Sequence, residues 1–539
     1  MADYPLIDQA SLLMVPSATK EGKLYSQLPA DGSGNFTFTR ATSATRVNEE
    51  GYIEKGYENR LLQSNQFDTT WATSVSASIV GGQSGYDGSS NAWLLSKNSD
   101  SQYVQQQVAF GGVNTFSVYI KAGTSTWVAL MRGDGQKAFF DLSGSGDLGN
   151  VTSGIASKIE SAGNGWFRCS FVFENSTTNY ARIYPAEGNG DISGTAGSIY
   201  IQDAQLNQGL VAYPYLETTT TPVYGGLQAD QPRLDYKDAS CPSVLIEPSR
   251  TNLITNSEYY NNIDTDWGSI GINGVTITTN EIISPEGLKN ASKLQGGGAV
   301  NDRVQLNFNT SNTKEVYSVF LKGTGDAVTF SFFNSRTGDR LIYDIDTSGN
   351  FTLSSVTGIT NYDIEDYGNG WYRIWGEFAT DTGATNYFQM YPDINGSGAI
   401  YIYGVQLESG SSPTSYIPTY GSTQTRAAET LSNAFSAAST GTISLSLGKL
   451  PQPYLTVLGE SFEAGATKNN IAIAYSPTAL KISLNGSIVV DATGTYDTSS
   501  LSSLQLGHDN GSDQGDNPIK DLIMFNAFLT DTELNALTV

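Results

Sequence analysis

The chain has only two cysteines and one histidine in 539 residues. Cys169 and Cys241 cannot make a disulfide framework, and their unlike neighbours mark both as unpaired thiols. The lone His508 excludes a histidine-based metal cluster, and it excludes a Ser-His-Asp triad anywhere but near the C-terminus. Charge is scarce as well. Charged residues make up 15% of the chain, and acidic residues outnumber basic ones 53 to 29, a net charge of −24. Phosphate backbones and anionic membrane surfaces repel such a chain, which argues against nucleic-acid binding. No apolar run reaches the length of a membrane span, so no membrane insertion is expected. The opening Met-Ala-Asp-Tyr-Pro lacks the basic and apolar regions of a secretory signal, so synthesis in a cytoplasm is expected. Helical periodicity is nearly absent.

What is present points to strands and tight turns. Glycine contributes 57 residues and aromatics 11%, alongside many Ser, Thr and Asn. The length suits three to four domains, each with its own core. Two long segments of the chain also match each other. Asn59-Arg60-Leu61-Leu62, Trp71 and Phe116-Ser117-Val118-Tyr119-Ile120-Lys121 are followed in the same order by Asn252-Leu253-Ile254, Trp267 and Tyr317-Ser318-Val319-Phe320-Leu321-Lys322. Gly163-Asn164-Gly165-Trp166-Phe167-Arg168 then corresponds to Gly368-Asn369-Gly370-Trp371-Tyr372-Arg373, and Ile199-Tyr200-Ile201 to Ile400-Tyr401-Ile402. A fixed order at a near-constant offset is the mark of a tandem repeat. The Asn-Gly pairs predict hairpin turns, because both residues tolerate positive φ.

The expected class is all-β: tandem antiparallel β-sandwich (jelly-roll) domains plus a smaller β-sandwich. The boundaries are a lead-in or attachment segment over 1–56, repeat one over 57–223, a linker over 224–246, repeat two over 247–429 and a third domain over 430–539. Residues 1–50 look too sparse in apolar side chains for an independent core. Near the end, Thr530 followed by Glu533 predicts a capped short helix.

The landmarks resemble a pattern in tailed-bacteriophage virion proteins of tail-fibre or head-fibre type. The residues that carry it are Thr39-Arg40 to Ala44-Thr45-Arg46-Val47-Asn48 with Ile53-Glu54, and Pro232-Arg233-Leu234-Asp235-Tyr236 leading to Ile246-Glu247-Pro248-Ser249-Arg250. The Gly-Asn-Gly-Trp run and the stretch Ser415-Tyr416-Ile417-Pro418-Thr419 through Thr425-Arg426-Ala427-Ala428-Glu429 complete it. The resemblance implies repeats similar to jelly-roll carbohydrate-binding modules and a concanavalin A/laminin-G-like, lectin-like C-terminal sandwich. It implies a virion surface protein that contacts other virion proteins and a host-surface glycan, without catalysis, as a homo-oligomer with a trimer favoured. A capsid decoration or tail connector is the alternative. A polysaccharide-degrading enzyme is the least expected reading, since no short-period β-helix repeat is visible.

Candidate site residues are few. Trp127 follows a Gly-Thr-Ser turn and has no counterpart tryptophan in repeat two, which makes it the candidate sugar-stacking ring. Trp166 and Trp371 sit in alternating strands and are expected to pack in a core. Arg40, Arg46, Arg233, Arg250 and Arg426, scattered through the lead-in and outgoing segments, are expected to tie backbone and carboxylates together where domains meet. Asp509, Asp513 and Asp516 offer oxygen ligands that could hold calcium, although no EF-hand spacing is present and solvated loop charge is the ordinary reading. No other cofactor is expected. Asp363, Glu365 and Asp366 read as surface charge, because repeat one offers only Glu160 in their place.

Overall fold

A computed structural model describes the chain apart from residues 1–5, 110, 176–177, 195, 238–239, 261–271, 301, 395, 434–437, 448–453, 459, 464–468, 499–503 and 507–516. Strand alternation builds two copies of one sandwich. In repeat one, a six-stranded sheet runs in the order Ala156–Gly163, Trp166–Asn175, Gly112–Ala122, Gly197–Gln208, Ala92–Lys97, Ser78–Gln83. It faces a second sheet ordered Asp147–Thr152, Lys137–Asp141, Trp127–Arg132, Thr178–Ala186, Val104–Ala109, Ala72–Thr73. Repeat two repeats both orders strand for strand, from Tyr362–Asp366 to Thr276–Ile282 in one sheet and from Phe351–Thr357 to Ile272–Asn273 in the other. All of these pairings are antiparallel. The fold is all-β, as the composition implied, and the described helix Asp531–Leu537 carries the expected Thr530–Glu533 capping box.

Inward side chains of the two sheets form one core per repeat. Phe116, Val118, Ile120, Val128, Leu130, Phe171 and Ile183 fill the first, and Tyr317, Val319, Leu321, Phe330, Phe332, Phe388 and Met390 fill the second. Each such fully buried side chain stabilises its sandwich by about 1.5–3 kcal/mol. The predicted Asn-Gly turns are there, with Asn164 and Gly165 at φ 53° and 77°, and Asn369 and Gly370 at φ 51° and 76°. That is the backbone a two-residue hairpin needs to match strand twist.

The third sandwich is not built from 430–539 alone. Leu12–Met14 pairs with Asn517–Phe525, Phe36–Thr39 pairs with Thr430–Asn433, and Ser243–Ile246 pairs with Asn517–Phe525 on the edge away from Gly441–Leu447. Leu12, Met14, Phe36 and Phe38 share a core with Leu234, Val244, Ile246, Leu431, Leu522 and Met524. The segments expected as a lead-in and a linker therefore supply strands to the C-terminal domain. The physical reason is apolar: residues 1–50 are too sparse for a core of their own, and strands of another domain complete one. Each repeat is in effect inserted into this base. The chain enters and leaves repeat one through paired strands Tyr57–Asn59 and Val223–Gly225, and repeat two through Arg250–Asn252 and Gln424–Arg426.

Candidate functional site

Where the segments meet, three arginines and two glutamates come together in one buried cluster. Arg40 Nη1 lies 2.7 Å from Glu429 Oε1, Arg233 bridges Glu429 and Glu247, and Arg426 Nη1 lies 2.8 Å from Glu247 Oε2. The side chains of Arg40, Arg233 and Glu429 are 0% exposed. Carbonyls of Thr42, Gln228 and Gln231 accept from Arg40, and that of Pro248 accepts from Arg426. Burial would raise the Glu247 carboxyl, but Arg426 and Arg233 overturn that and hold it far below the carboxylate range. These arginines do lie where domains meet. The expectation that they are scattered fails for three of them, because residues remote in sequence converge on two shared carboxylates. Arg46 instead pairs with Glu54, and Arg250 donates to the Ser249 carbonyl.

A second buried knot joins the two repeats. Lys55 Nζ sits 2.8 Å from Glu258 Oε1 and 3.0 Å from Glu286 Oε2, and it donates to the Tyr420 hydroxyl. Tyr403 and Tyr416 donate to Glu258, while Tyr213 donates to Glu286. Burial alone would lower the Lys55 pKa, but Glu258 and Glu286 raise it. Beside this knot, Gly112 passes so close to Tyr420 that a Cβ there would lie 1.2 Å from its carbonyl oxygen, so only glycine fits. In both knots the charges find their ion-pair partners inside the protein, which fixes the modules to one another.

Polar and aromatic side chains also line the outer face of the second sheet in each repeat. Phe333 and Arg340 are half-buried there, Gln305, Gln389 and Tyr391 are buried, and in repeat one Tyr103, Trp127 and Ile192 pack over the face. In repeat two, Gln305, Gln389, Phe333 and Arg340 stand in one cross-strand row, and Tyr391, Ser331 and Ile342 in the next. The Tyr391 hydroxyl donates to Gln389 Oε1 at 2.7 Å, Gln389 Nε2 to Gln305 Oε1 at 2.6 Å, and Gln305 Nε2 to Asn307 Oδ1 at 2.8 Å. This relay orients both amides. Arg340 lies 5.2 Å over the Phe333 ring and 5.7 Å over Tyr391, and Arg336 lies 5.5 Å over Tyr387. The matching rows in repeat one are Gln105, Arg182, Met131, Lys137 and then Tyr184, Ala129, Phe139. Guanidinium groups and ring faces on a rigid sheet can hydrogen-bond hydroxyls and stack on an apolar ring face.

Trp127 stands on this face of repeat one, opposite Ala186 and Asp141 and half-buried against Phe139 and Tyr184. A Cβ on Gly149 would lie 2.7 Å from its ring, so the edge strand needs glycine there. Trp166 and Trp371 are buried at 2% and 1% exposure. They sit on the outer side of the other sheet, under a cap, rather than in the main core. Glu365 departs from its reading as surface charge. It pairs with Lys237 and accepts from Trp375 Nε1 at 3.2 Å, and Lys237 and Arg373 lower its pKa against the effect of burial. Asp509, Asp513, Asp516 and His508 lie outside the described residues, as does Trp267. Among the described residues no group of three or more His, Cys, Asp or Glu side chains is placed to hold a metal ion. Cys169 is buried and Cys241 exposed, both unpaired. Alternation along strands could have revealed the Gln305, Gln389 and Arg340 face. No tryptophan marks it in the sequence.

No family model matches the chain, and neither does any curated protein. Among solved structures, the chain is similar at 10% identity to the N-terminal CBM22-1–CBM22-2 tandem domain of Xyn10C from Paenibacillus barcinonensis, over 66% of this chain and 97% of that one, with a TM-score of 0.21. It is similar, also at 10% identity, to the M60 catalytic domain with the CBM51-1 and CBM51-2 domains of ZmpB from Clostridium perfringens, over 68% of this chain and 43% of that one, with a TM-score of 0.16. At such identities and scores neither likeness says what this chain binds.

Proposed function

We propose that the chain is a non-catalytic saccharide-binding surface protein of a tailed-phage particle, its two repeats presented by the C-terminal sandwich for attachment to a host surface. One observation carries the binding reading: the outer face of the second sheet of repeat two holds half-buried and exposed guanidinium groups beside aromatic rings, on strands whose opposite sides are locked in the core. The phage reading rests on the resemblance of the sequence motifs alone, whose residues Arg40, Arg233, Glu247, Arg426 and Glu429 meet in one buried junction.

Binding of purified protein to a glycan array, with adsorption to bacterial cells, tests the reading. Retention on a defined class of glycans is expected, with no new reducing ends released from a bound polysaccharide. Steady turnover would make it an enzyme instead. Absence of binding in every oligomeric form would reduce it to a connector or decoration. Individual sugar sites are weak, about 4 kcal/mol at millimolar affinity, so attachment depends on several copies displayed together. A trimer by light scattering is the expected state.

A further inference from the structure

The outer face of the second repeat is basic within a chain of net charge −24. Arg340 donates through Nε to Ser331 Oγ at 2.8 Å and is flanked by the rings of Phe333 and Tyr391. Arg336 donates through Nε to the Thr385 carbonyl at 3.1 Å and covers Tyr387. In both, the terminal amino groups have no hydrogen-bond partner among the described residues, and neither arginine has a carboxylate partner there. The acidic groups at the end of the same face are engaged elsewhere. Asp344 accepts from Thr329 Oγ1, and Asp393 accepts from the backbone N–H groups of Thr329 and Gly398.

We infer that this face takes a carboxylate-bearing saccharide, such as a uronate polymer, with the sugar carboxylate seated on the terminal donors of Arg340. The inference rests on the saccharide reading above and names the ligand class. With Nε bound to Ser331 Oγ, the guanidinium keeps both terminal amino groups for a ligand, a fork that a carboxylate fills with two hydrogen bonds. The hydrogen bond to Ser331 and the nearby rings of Phe333 and Tyr391 restrain the side chain before any ligand arrives. The equivalent row in repeat one offers Lys137 in the place of Arg340, a point charge without a fork, and its Arg182 already spends Nε on Gln105 and Nη1 on the Gly133 carbonyl. Carboxylate recognition therefore belongs to repeat two.

The test uses the full chain in buffer with a chelator, which removes divalent bridging, and measures affinity for polygalacturonate, for the same polymer after carboxyl reduction, and for dextran sulfate. Binding to polygalacturonate is expected, at least tenfold weaker after carboxyl reduction and weaker still to dextran sulfate. Arg340→Gln and Arg336→Gln, each checked for an unchanged melting curve, are expected to lower polygalacturonate affinity. Lys137→Gln is expected to leave it unchanged. Arg336 is exposed, so its variant keeps the test valid if Arg340→Gln disturbs the sheet. Equal binding before and after reduction, equal binding to dextran sulfate, or full binding by both arginine variants would overturn the carboxylate assignment and leave saccharide binding standing. Failure to bind any of these polymers or any arrayed glycan would overturn both.

Discussion

The two repeats bury the same tryptophan by different means. Trp166 and Trp371 each follow an Asn-Gly turn, and each ends almost fully covered on the outer side of its sheet. In repeat one the cover is local. Tyr86, from a loop of the same sandwich, stacks on Tyr119 at 3.9 Å between centroids and meets Trp166 edge-on at 6.3 Å. In repeat two the cover is imported. Ile53, from the segment ahead of repeat one, packs with Trp371, Phe320, Tyr403 and Tyr416, and its N–H donates to the Pro285 carbonyl at 2.8 Å. Repeat one closes its own surface, whereas repeat two depends on a stretch almost 200 residues upstream. The same motif in a sequence therefore specifies that a ring will be covered, and leaves open what covers it.

The junction of repeat two gives the largest way to break this contrast. Glu429→Ala leaves Arg40 and Arg233 buried with one carboxylate fewer, and should cost about 3–5 kcal/mol. Denaturant unfolding is expected to show the base and repeat two destabilised together, with repeat one little changed. Loss of stability confined to repeat one would contradict the topology.

The caps themselves come next. Ile53→Ala should destabilise repeat two by about 2–4 kcal/mol, and Tyr86→Ala should act by a similar amount on repeat one alone. Fluorescence of single-tryptophan variants retaining Trp166 or Trp371 reports each cap separately. If Ile53→Ala exposed Trp166 as much as Trp371, the two covers would not be independent.

A smaller effect sharpens the contrast through pH. Beneath the local cap, Asp203 accepts from the Tyr86 hydroxyl at 2.8 Å, and burial raises its pKa to about 6. A carboxyl whose folded pKa exceeds its unfolded value weakens the fold above the folded pKa, and the loss is regained as pH falls from about 6 toward 4. Asp203→Asn should therefore stabilise the protein at neutral pH by about 1–3 kcal/mol and flatten that part of the stability curve. At the equivalent bulge repeat two has Gly404, so no matching term arises from it. A variant as pH-dependent as the parent over this range would show that Asp203 is not the group responsible. The smallest expected change is Trp127→Ala. It should reduce affinity for neutral saccharides on repeat one by about tenfold, or 1.4 kcal/mol, with polyuronate binding by repeat two intact in a titration.

Much of this architecture was legible because it is local. Alternation in Phe116–Lys121 and Tyr317–Lys322, the Asn-Gly turns and the Thr530–Glu533 cap depend on neighbours within a few residues, so sequence alone determined the all-β class, the tandem repeat and the position of the hairpins. The motifs around Arg40, Arg233 and Arg426 were visible too, but only as separate signals.

Tertiary structure decided what these pieces are for. Leu12–Met14 and Ser243–Ile246 become strands of a domain whose other strands lie hundreds of residues away, because a core is completed by whichever apolar face is at hand in space. Three arginines share two glutamates for a related reason: a buried charge needs a partner at contact distance, and sequence separation does not enter Coulomb's law. The candidate binding face follows the same rule. Gln305, Gln389 and Arg340 come from three strands, and only their register in the sheet sets them in one row.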